Sequence, residues 1–129
     1  MTSLLQNTRR PDVTFHSSGR IDITARIARA LGLSKGDVID IATDGNEYLL
    51  YARHRAANIT GNHEAQCWPT NHGKHHNNNL RCQSRRLCLA VINAVRPGAD
   101  VLRLPAGPAV KHASIGYSCG VPLITRNPL

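Results

Sequence analysis

Apolar and polar residues alternate near the start of the chain and then change to a helical spacing. Residues 20–24 alternate with a period of two, which is typical of a half-buried strand. Ile27 and Leu31 follow four positions apart, so they share one face of a helix. The pattern predicts a strand over residues 20–24 that leads directly into a helix over residues 25–31.

Flanking residues predict where the elements begin and end. Thr24, and later Ser84, are suitable helix N-caps because a side-chain hydroxyl can accept a free backbone N–H. Gly32 can adopt the left-handed conformation that ends a helix, and Asp44-Gly45 favours a tight hairpin turn. The predicted order is β-β-α-β-β, with strands over residues 13–16, 20–24, 37–43 and 47–52.

The same succession returns in the second half of the chain. Residues 80–84 predict a strand, residues 85–95 a helix with apolar positions four apart, and residues 99–104 another strand. Segments 33–41 and 95–104 align with one inserted residue, at a spacing of about sixty positions. The second half is therefore a candidate degenerate copy of the first.

Two regions lack this periodicity. Residues 1–12 are polar and are expected to form a flexible N-terminus, and residues 53–79 are rich in Asn and His, which predicts a long polar loop. We expect one domain, in which the unit at residues 13–52 packs with residues 80–129. The latter would hold the second unit, a C-terminal strand and a tail.

The charge of the chain is unevenly distributed. The net charge is +8 and the isoelectric point is about 10.1. Residues 1–52 hold six basic and six acidic side chains, whereas residues 53–129 hold ten basic and two acidic ones. Most of the basic residues are Arg, which favours bidentate contacts with phosphate or guanine. The pattern suggests a polyanionic partner such as nucleic acid, and the alternative is an ordinary solvated basic surface.

Membrane and secretory classes are not favoured. The chain has no apolar run of about 18 residues and no N-terminal signal pattern, so we expect a cytoplasmic protein that does not enter the membrane. In a reducing compartment the cysteines are expected to be free thiols rather than disulfides. They are Cys67, Cys82, Cys88 and Cys119.

Metal binding and catalysis are weakly indicated. Zinc accepts Cys and His ligands at short spacing, but no CxxC or HxxxH pair is present, so a polar loop with incidental histidines is favoured. If a metal were bound, the candidate ligands would be Cys67, His72, His75 or His76, and Cys82. An enzyme built from His63, His72 or His76 with Cys67 is the least favoured alternative. We expect no cofactor and no enzymatic activity.

Residues 13–51 resemble the AbrB/SpoVT family of swapped-hairpin β-barrels, which includes MazE-type antitoxins. The shared signature is a Gly-Arg pair, an alternating strand, a short helix ending in Leu-Gly-Leu, a charged segment and a strand-turn-strand. In this chain those are Gly19-Arg20, Ile21 to Ile23, Leu31-Gly32-Leu33, Ser34 to Asp37, and Ile39 to Leu50. The chain departs from the family at Thr24, where Pro is usual, and at Ala28-Arg29, where paired arginines are frequent.

The resemblance implies a mainly β fold with two short helices (α+β), arranged as an AbrB-like swapped-hairpin or double-psi-like β-barrel. Either a homodimer would form this barrel, or a second copy at residues 80–110 would close it within one chain. Family members contact DNA through basic residues of the Gly-Arg strand and the helix, which correspond here to Arg20, Arg26 and Arg29. By the duplication, Arg81, Arg85 and Arg86 would be their counterparts.

We therefore expect a DNA-binding transcriptional regulator, or an antitoxin-like protein with a toxin partner, that contacts double-stranded DNA through surface arginines. The alternative is a non-enzymatic interaction or structural module whose basic half binds an acidic protein surface.

Overall fold

The computed structural model describes residues 11–70 and 78–126, and it is mainly β with two helices. The predicted flexible N-terminus lies almost entirely outside the described residues. In chain order the elements are β1 (Val13–His16), β2 (Arg20–Ile23), α1 (Ala25–Leu31), β3 (Val38–Thr43), β4 (Tyr48–His54), β5 (Trp68–Pro69), β6 (Leu80–Gln83), α2 (Arg85–Val95), β7 (Val101–Leu104), β8 (Val110–Lys111) and β9 (Cys119–Pro122). The α+β class is confirmed.

The described strands form two antiparallel sheets. One has the order β5-β6-β2-β1-β7, and the other has the order β3-β4-β9-β8. Single bridges connect the two sheets at Val38–Gln66 and Ala106–Leu123. A closed barrel with continuous pairing, as the family resemblance implies, is not found in the described part of the chain.

One hydrophobic core joins both sheets and both helices. Phe15, Ile21, Leu50 and Leu102 are fully buried strand residues of this cluster, and Ile27 adds the inner face of α1. The two halves of the sequence therefore fold around a shared core, as expected for a domain built from layers that each bury one apolar face.

The two helices have the predicted bounds but different N-terminal contacts. The Ser84 hydroxyl caps α2 by accepting the Leu87 N–H at 3.2 Å, as predicted. Thr24 occupies the N-cap position of α1, but the capping bond predicted for it is absent. Its hydroxyl is buried with no hydrogen-bond partner among the described residues, and the Ala25 N–H donates instead to Asn79 Oδ1 at 2.8 Å.

The predicted polar loop at residues 53–79 contains more structure than its composition indicates. β4 continues to His54, and β5 lies within the segment. Ala65 and Cys67 are buried, and the Cys67 backbone exchanges hydrogen bonds of 2.8 Å with Gly36 and Asp37 next to β3. A few buried small residues thus anchor a segment whose average polarity is high.

The two halves meet where β2 pairs with β6. Ile21 lies opposite Cys82, and on either side of this pair Arg20 lies opposite Gln83 and Arg81 opposite Asp22. We call β2 with α1 the first strand–helix unit, and β6 with α2 the second. Arg20 directly precedes Ile21, and Arg81 directly precedes Cys82. The antiparallel register therefore relates the two units by a local two-fold rotation about the central pair, Ile21–Cys82.

Candidate nucleic-acid interface

Strand register gathers polar side chains on one face of the five-stranded sheet. Successive residues of a strand point to opposite faces, and the neighbours Phe15, Ile21 and Leu102 fill the core. The residues that alternate with the core residues along each strand point the other way, and they form a row of paired residues across the opposite face, from β5 to β7: Trp68, Arg81, Asp22, Thr14 and Arg103. Together with His16, Arg20 and Gln83 on the same face, we call this set the outer sheet face.

A single carboxylate organises the centre of the outer sheet face. Asp22 accepts the Nε of Arg81 at 2.6 Å and lies 3.2 Å from the Nε of Arg20. His16 Nε2 lies 3.2 Å from the same carboxylate and 3.1 Å from Arg20 Nη2. Both arginine side chains are more than 40% exposed, at 44% and 43%. Since a guanidinium has five donors, each has N–H groups left for a ligand.

Both ends of the row carry exposed side chains that can contact a ligand. Arg103 is exposed on β7, opposite Thr14. Trp68 is 44% exposed on the edge strand β5, and Lys35 Nζ lies 5.3 Å from the centre of its ring. A cation at this distance over an indole is held by the ring quadrupole. The outer sheet face therefore combines three arginines with an exposed aromatic ring.

The first helix arginine has a structural partner. Arg26 donates to both carboxylate oxygens of Asp12, with Nε to Oδ1 at 3.1 Å. Asp12 is 4% exposed and also accepts the Ala106 N–H at 2.7 Å. This ion pair connects α1 to the segments that precede β1 and follow β7, so Arg26 has a structural role.

The second helix arginine forms an exposed ion pair. Arg86 lies 2.7 Å from Glu64, which also accepts the Ser84 hydroxyl at 2.7 Å. The hydrogen bond from Arg86 lowers the pKa of Glu64, and the carboxylate in turn raises the pKa of Arg86. Arg29 and Arg85 are exposed and have no ion pair within the described residues.

The structure thus brings together two of the six arginines proposed from sequence, Arg20 and Arg81. Sequence reasoning missed Arg103, although the alternation along residues 101–104 marks it as outward-facing. Recognising it as a neighbour of Arg81 requires the strand order across the sheet, which local periodicity does not contain. Arg55 was also missed, and its role is structural, because it donates to the Leu31 and Gly32 carbonyls at the end of α1.

The candidate metal ligands are only partly placed. Cys67, directly before β5, and Cys82 of β6 are both buried, and a hydrogen bond between the thiols, together with burial, raises the pKa of Cys82 well above its ordinary range. A protonated thiol is a poor metal ligand. Within residues 11–70 and 78–126 no group of three or more potential ligands occurs. His72, His75 and His76 lie outside the described residues.

Comparison with known proteins gives no match to a family model, a curated protein sequence or a solved structure. Neither of the two described helices is long and apolar enough to cross a membrane. The geometry and charge of the outer sheet face and the motif resemblance are therefore the features that bear on function.

Proposed function

We propose that this protein is a DNA-binding regulator that contacts double-stranded DNA through the outer sheet face, with Arg20, Arg81 and Arg103 as the main contact residues. The observation that carries the proposal is their placement on one sheet face, with Asp22 the only acidic residue in the set. The net charge of +8 supports a polyanionic ligand.

The spacing of the arginines suits a nucleic-acid groove. Arg81 and Arg103 lie on strands separated by three strand spacings, about 14 Å if adjacent strands are about 4.8 Å apart. A major groove is about 12 Å wide. The two guanidinium groups could therefore reach phosphates on opposite sides of one groove, with Arg20 between them.

Asp22 has a positioning role in this proposal. It orients two guanidinium groups before a ligand arrives, which reduces the side-chain entropy lost on binding. Its negative charge also reduces the electrostatic repulsion between the neighbouring guanidinium groups of Arg20 and Arg81. The N–H groups that do not contact Asp22 would donate to phosphate oxygens as charge-assisted hydrogen bonds.

The architecture proposed with this function is a single-chain, AbrB-like barrel that arose by duplication. The local two-fold relation between the strand–helix units supports it, as do the two bridges that connect the sheets. On this model Arg20 and Arg81 are equivalent residues, one from each half. The antitoxin-like role with a toxin partner remains a prediction from the family resemblance.

A protein partner with an acidic surface is the second candidate. Trp and Arg are enriched among the residues that dominate the energy of protein interfaces, and both occur on the outer sheet face. This alternative uses the same side chains, so location alone does not separate the two functions. The dependence of binding on salt concentration does separate the two functions.

Binding of a labelled duplex of random sequence, measured by fluorescence anisotropy across a salt series, tests the proposal. Three phosphate contacts predict that the logarithm of the association constant falls against the logarithm of salt concentration with a slope of roughly −3. A folded protein that shows no binding at low salt would contradict the DNA function and favour the protein partner.

A further inference from the structure

We propose that the groove beside Trp68 binds an unpaired nucleobase of a nucleic acid held on the outer sheet face. The inference rests on the proposed function and extends it. It predicts a preference for DNA that presents an unpaired base next to a duplex over DNA that is fully paired.

The groove lies at the β5 edge of the sheet and has a volume of about 290 Å³. Trp68 and Pro69 of β5 line it together with Arg81 and Gln83 of β6, and His63 stands at its rim. This volume is at the lower end of the range for small-molecule sites, about 300–1,000 Å³, which suits a single flat ring system. The lining combines one aromatic surface with several polar groups, as sites for nucleobases require.

Trp68 provides a stacking surface. It is one of three large hydrophobic side chains that are exposed in the described part of the chain, and a strand holds it in place. Lys35 approaches the ring but lines a neighbouring groove along α1 rather than this one. The indole surface that faces the groove is therefore left for a ligand. Base–aromatic stacking tolerates any base because every base has a π face.

Polar groups in the groove are positioned by bonds to the backbone. Gln83 Nε2 donates to the Ser18 carbonyl at 3.0 Å, which fixes the amide and leaves its Oε1 as an acceptor. His63 Nε2 lies 2.8 Å from the Thr60 carbonyl, so the neutral ring carries its proton there and Nδ1 is an acceptor. Such acceptors suit the exocyclic amino group of adenine, cytosine or guanine.

Arg81 connects the groove to the outer sheet face because it belongs to both. It lies directly opposite Trp68, and paired residues in an antiparallel sheet have Cβ atoms about 4.5–5.5 Å apart. A nucleotide whose phosphate contacts Arg81 would thus place its base over Trp68. Arg81 would contact the nucleic-acid backbone, and the adjacent indole of Trp68 would stack on the base.

The chain contains one tryptophan, so tryptophan fluorescence, excited selectively over tyrosine, reports on this position alone. The test compares three DNAs of one sequence: a fully paired duplex, a duplex with one extra unpaired deoxyadenosine, and a duplex with an abasic residue at that extra position. Anisotropy measures affinity and tryptophan emission measures stacking. We expect all three to bind, but only the unpaired base to quench emission and to bind about tenfold tighter than the abasic duplex.

Trp68→Leu should abolish this preference, measured as the ratio of the affinities for the unpaired-base and abasic duplexes. Tyr117→Asn is the matched control, since Tyr117 is an aromatic residue that is 70% exposed elsewhere, and its φ of 60° suits Asn. Tyr117→Asn should keep the preference. Equal affinity for the unpaired-base and abasic duplexes, or a preference that survives Trp68→Leu, would overturn the inference and leave duplex binding intact. Absence of binding to all three DNAs would overturn the proposed function itself.

Discussion

The two strand–helix units have the same order but differ in the contacts that stabilise the ends of their helices. In the second unit Ser84 caps the start of α2 and donates its own hydroxyl to Glu64. In the first unit Asn79 accepts the first N–H of α1, and the Arg55 guanidinium donates to the Leu31 and Gly32 carbonyls at the end of the helix. A seven-residue helix is marginal alone, so α1 depends on such tertiary contacts more than the eleven-residue α2 does.

The helix arginines of the two units differ in the burial of their partners. Arg26 pairs with Asp12, which is 4% exposed, whereas Arg86 pairs with Glu64, whose side chain is 39% exposed. On the outer sheet face, by contrast, two arginines share one carboxylate. Arg26 is therefore held by a buried partner, whereas Arg20 and Arg81 share one partly exposed carboxylate and keep N–H groups for a ligand.

The largest difference between the units should follow from removing each helix arginine. Arg26→Gln leaves the buried carboxylate of Asp12 without its cation, which we expect to reduce the free energy of unfolding by about 2 kcal/mol. Arg86→Gln removes an exposed, solvent-screened pair and should reduce it much less. Urea unfolding at pH 7.5 measures both values. If the two variants lost the same free energy of unfolding, the expected difference between a buried and an exposed carboxylate partner would be contradicted.

Alkaline pH should affect the second unit selectively. Counting from the central pair, Cys82 and Cys88 occupy the places of Ile21 and Ile27 in the first unit. Burial raises the pKa of Cys88 to about 11, and a hydrogen bond with Cys67 together with burial also raises the pKa of Cys82. Between pH 9 and 11 the unfolded chain releases protons that the folded chain keeps, so stability that is present below pH 9 is lost as pH rises.

A Cys82→Val/Cys88→Val variant should lose less stability between pH 9 and 11 than the wild type, by on the order of 1–2 kcal/mol. Urea unfolding at the two pH values gives the comparison. Cys119→Val, at a half-buried position outside both units, is the control and should follow the wild type. Identical pH dependence of the double variant and the wild type would show that the thiols do not titrate differently on folding.

The smallest expected difference concerns the N-caps. Ser84→Ala removes the hydroxyl that caps α2 and should cost about 1 kcal/mol. Thr24→Ala removes a hydroxyl that makes no capping bond and is buried without a partner in the described part of the chain, so its effect should lie within about 0.5 kcal/mol. Thermal or urea unfolding that ranks the two variants in the opposite order would contradict this reading of the caps.

Local chemistry made the elements predictable from sequence. Both helices begin and end at the predicted residues, because Ser84 and Gly32 are unambiguous signals and the apolar spacing between the ends is regular. Thr24 was correctly placed at an N-cap, but the first N–H of α1 finds its partner in Asn79, 54 positions away in the chain. The order of strands within the two sheets likewise depends on packing between distant segments, which periodicity does not encode.

The candidate site was less predictable for the same reason. Alternation indicates that Arg20 and Arg81 point outward, yet the partners that distinguish Arg26 and Arg86 lie 14 and 22 residues away. Trp68 follows a segment whose polarity predicts a loop, and only pairing with β6 places its ring beside Arg81. Strand pairing and the positions of nearby carboxylates in the folded chain therefore decide which arginines remain available to a ligand.

The most direct test of the account compares two triple variants of equal charge for binding to a random duplex across a salt series. Arg20/Arg81/Arg103→Gln removes the arginines of the outer sheet face, and Arg29/Arg85/Arg96→Gln removes exposed arginines of the helices and the turn after α2. With folding verified by circular dichroism, the account predicts that the first variant loses nearly all the salt dependence, a change in slope of about three, while the second keeps it. Equal loss in both variants, or loss only in the second, would contradict the assignment of DNA binding to the outer sheet face.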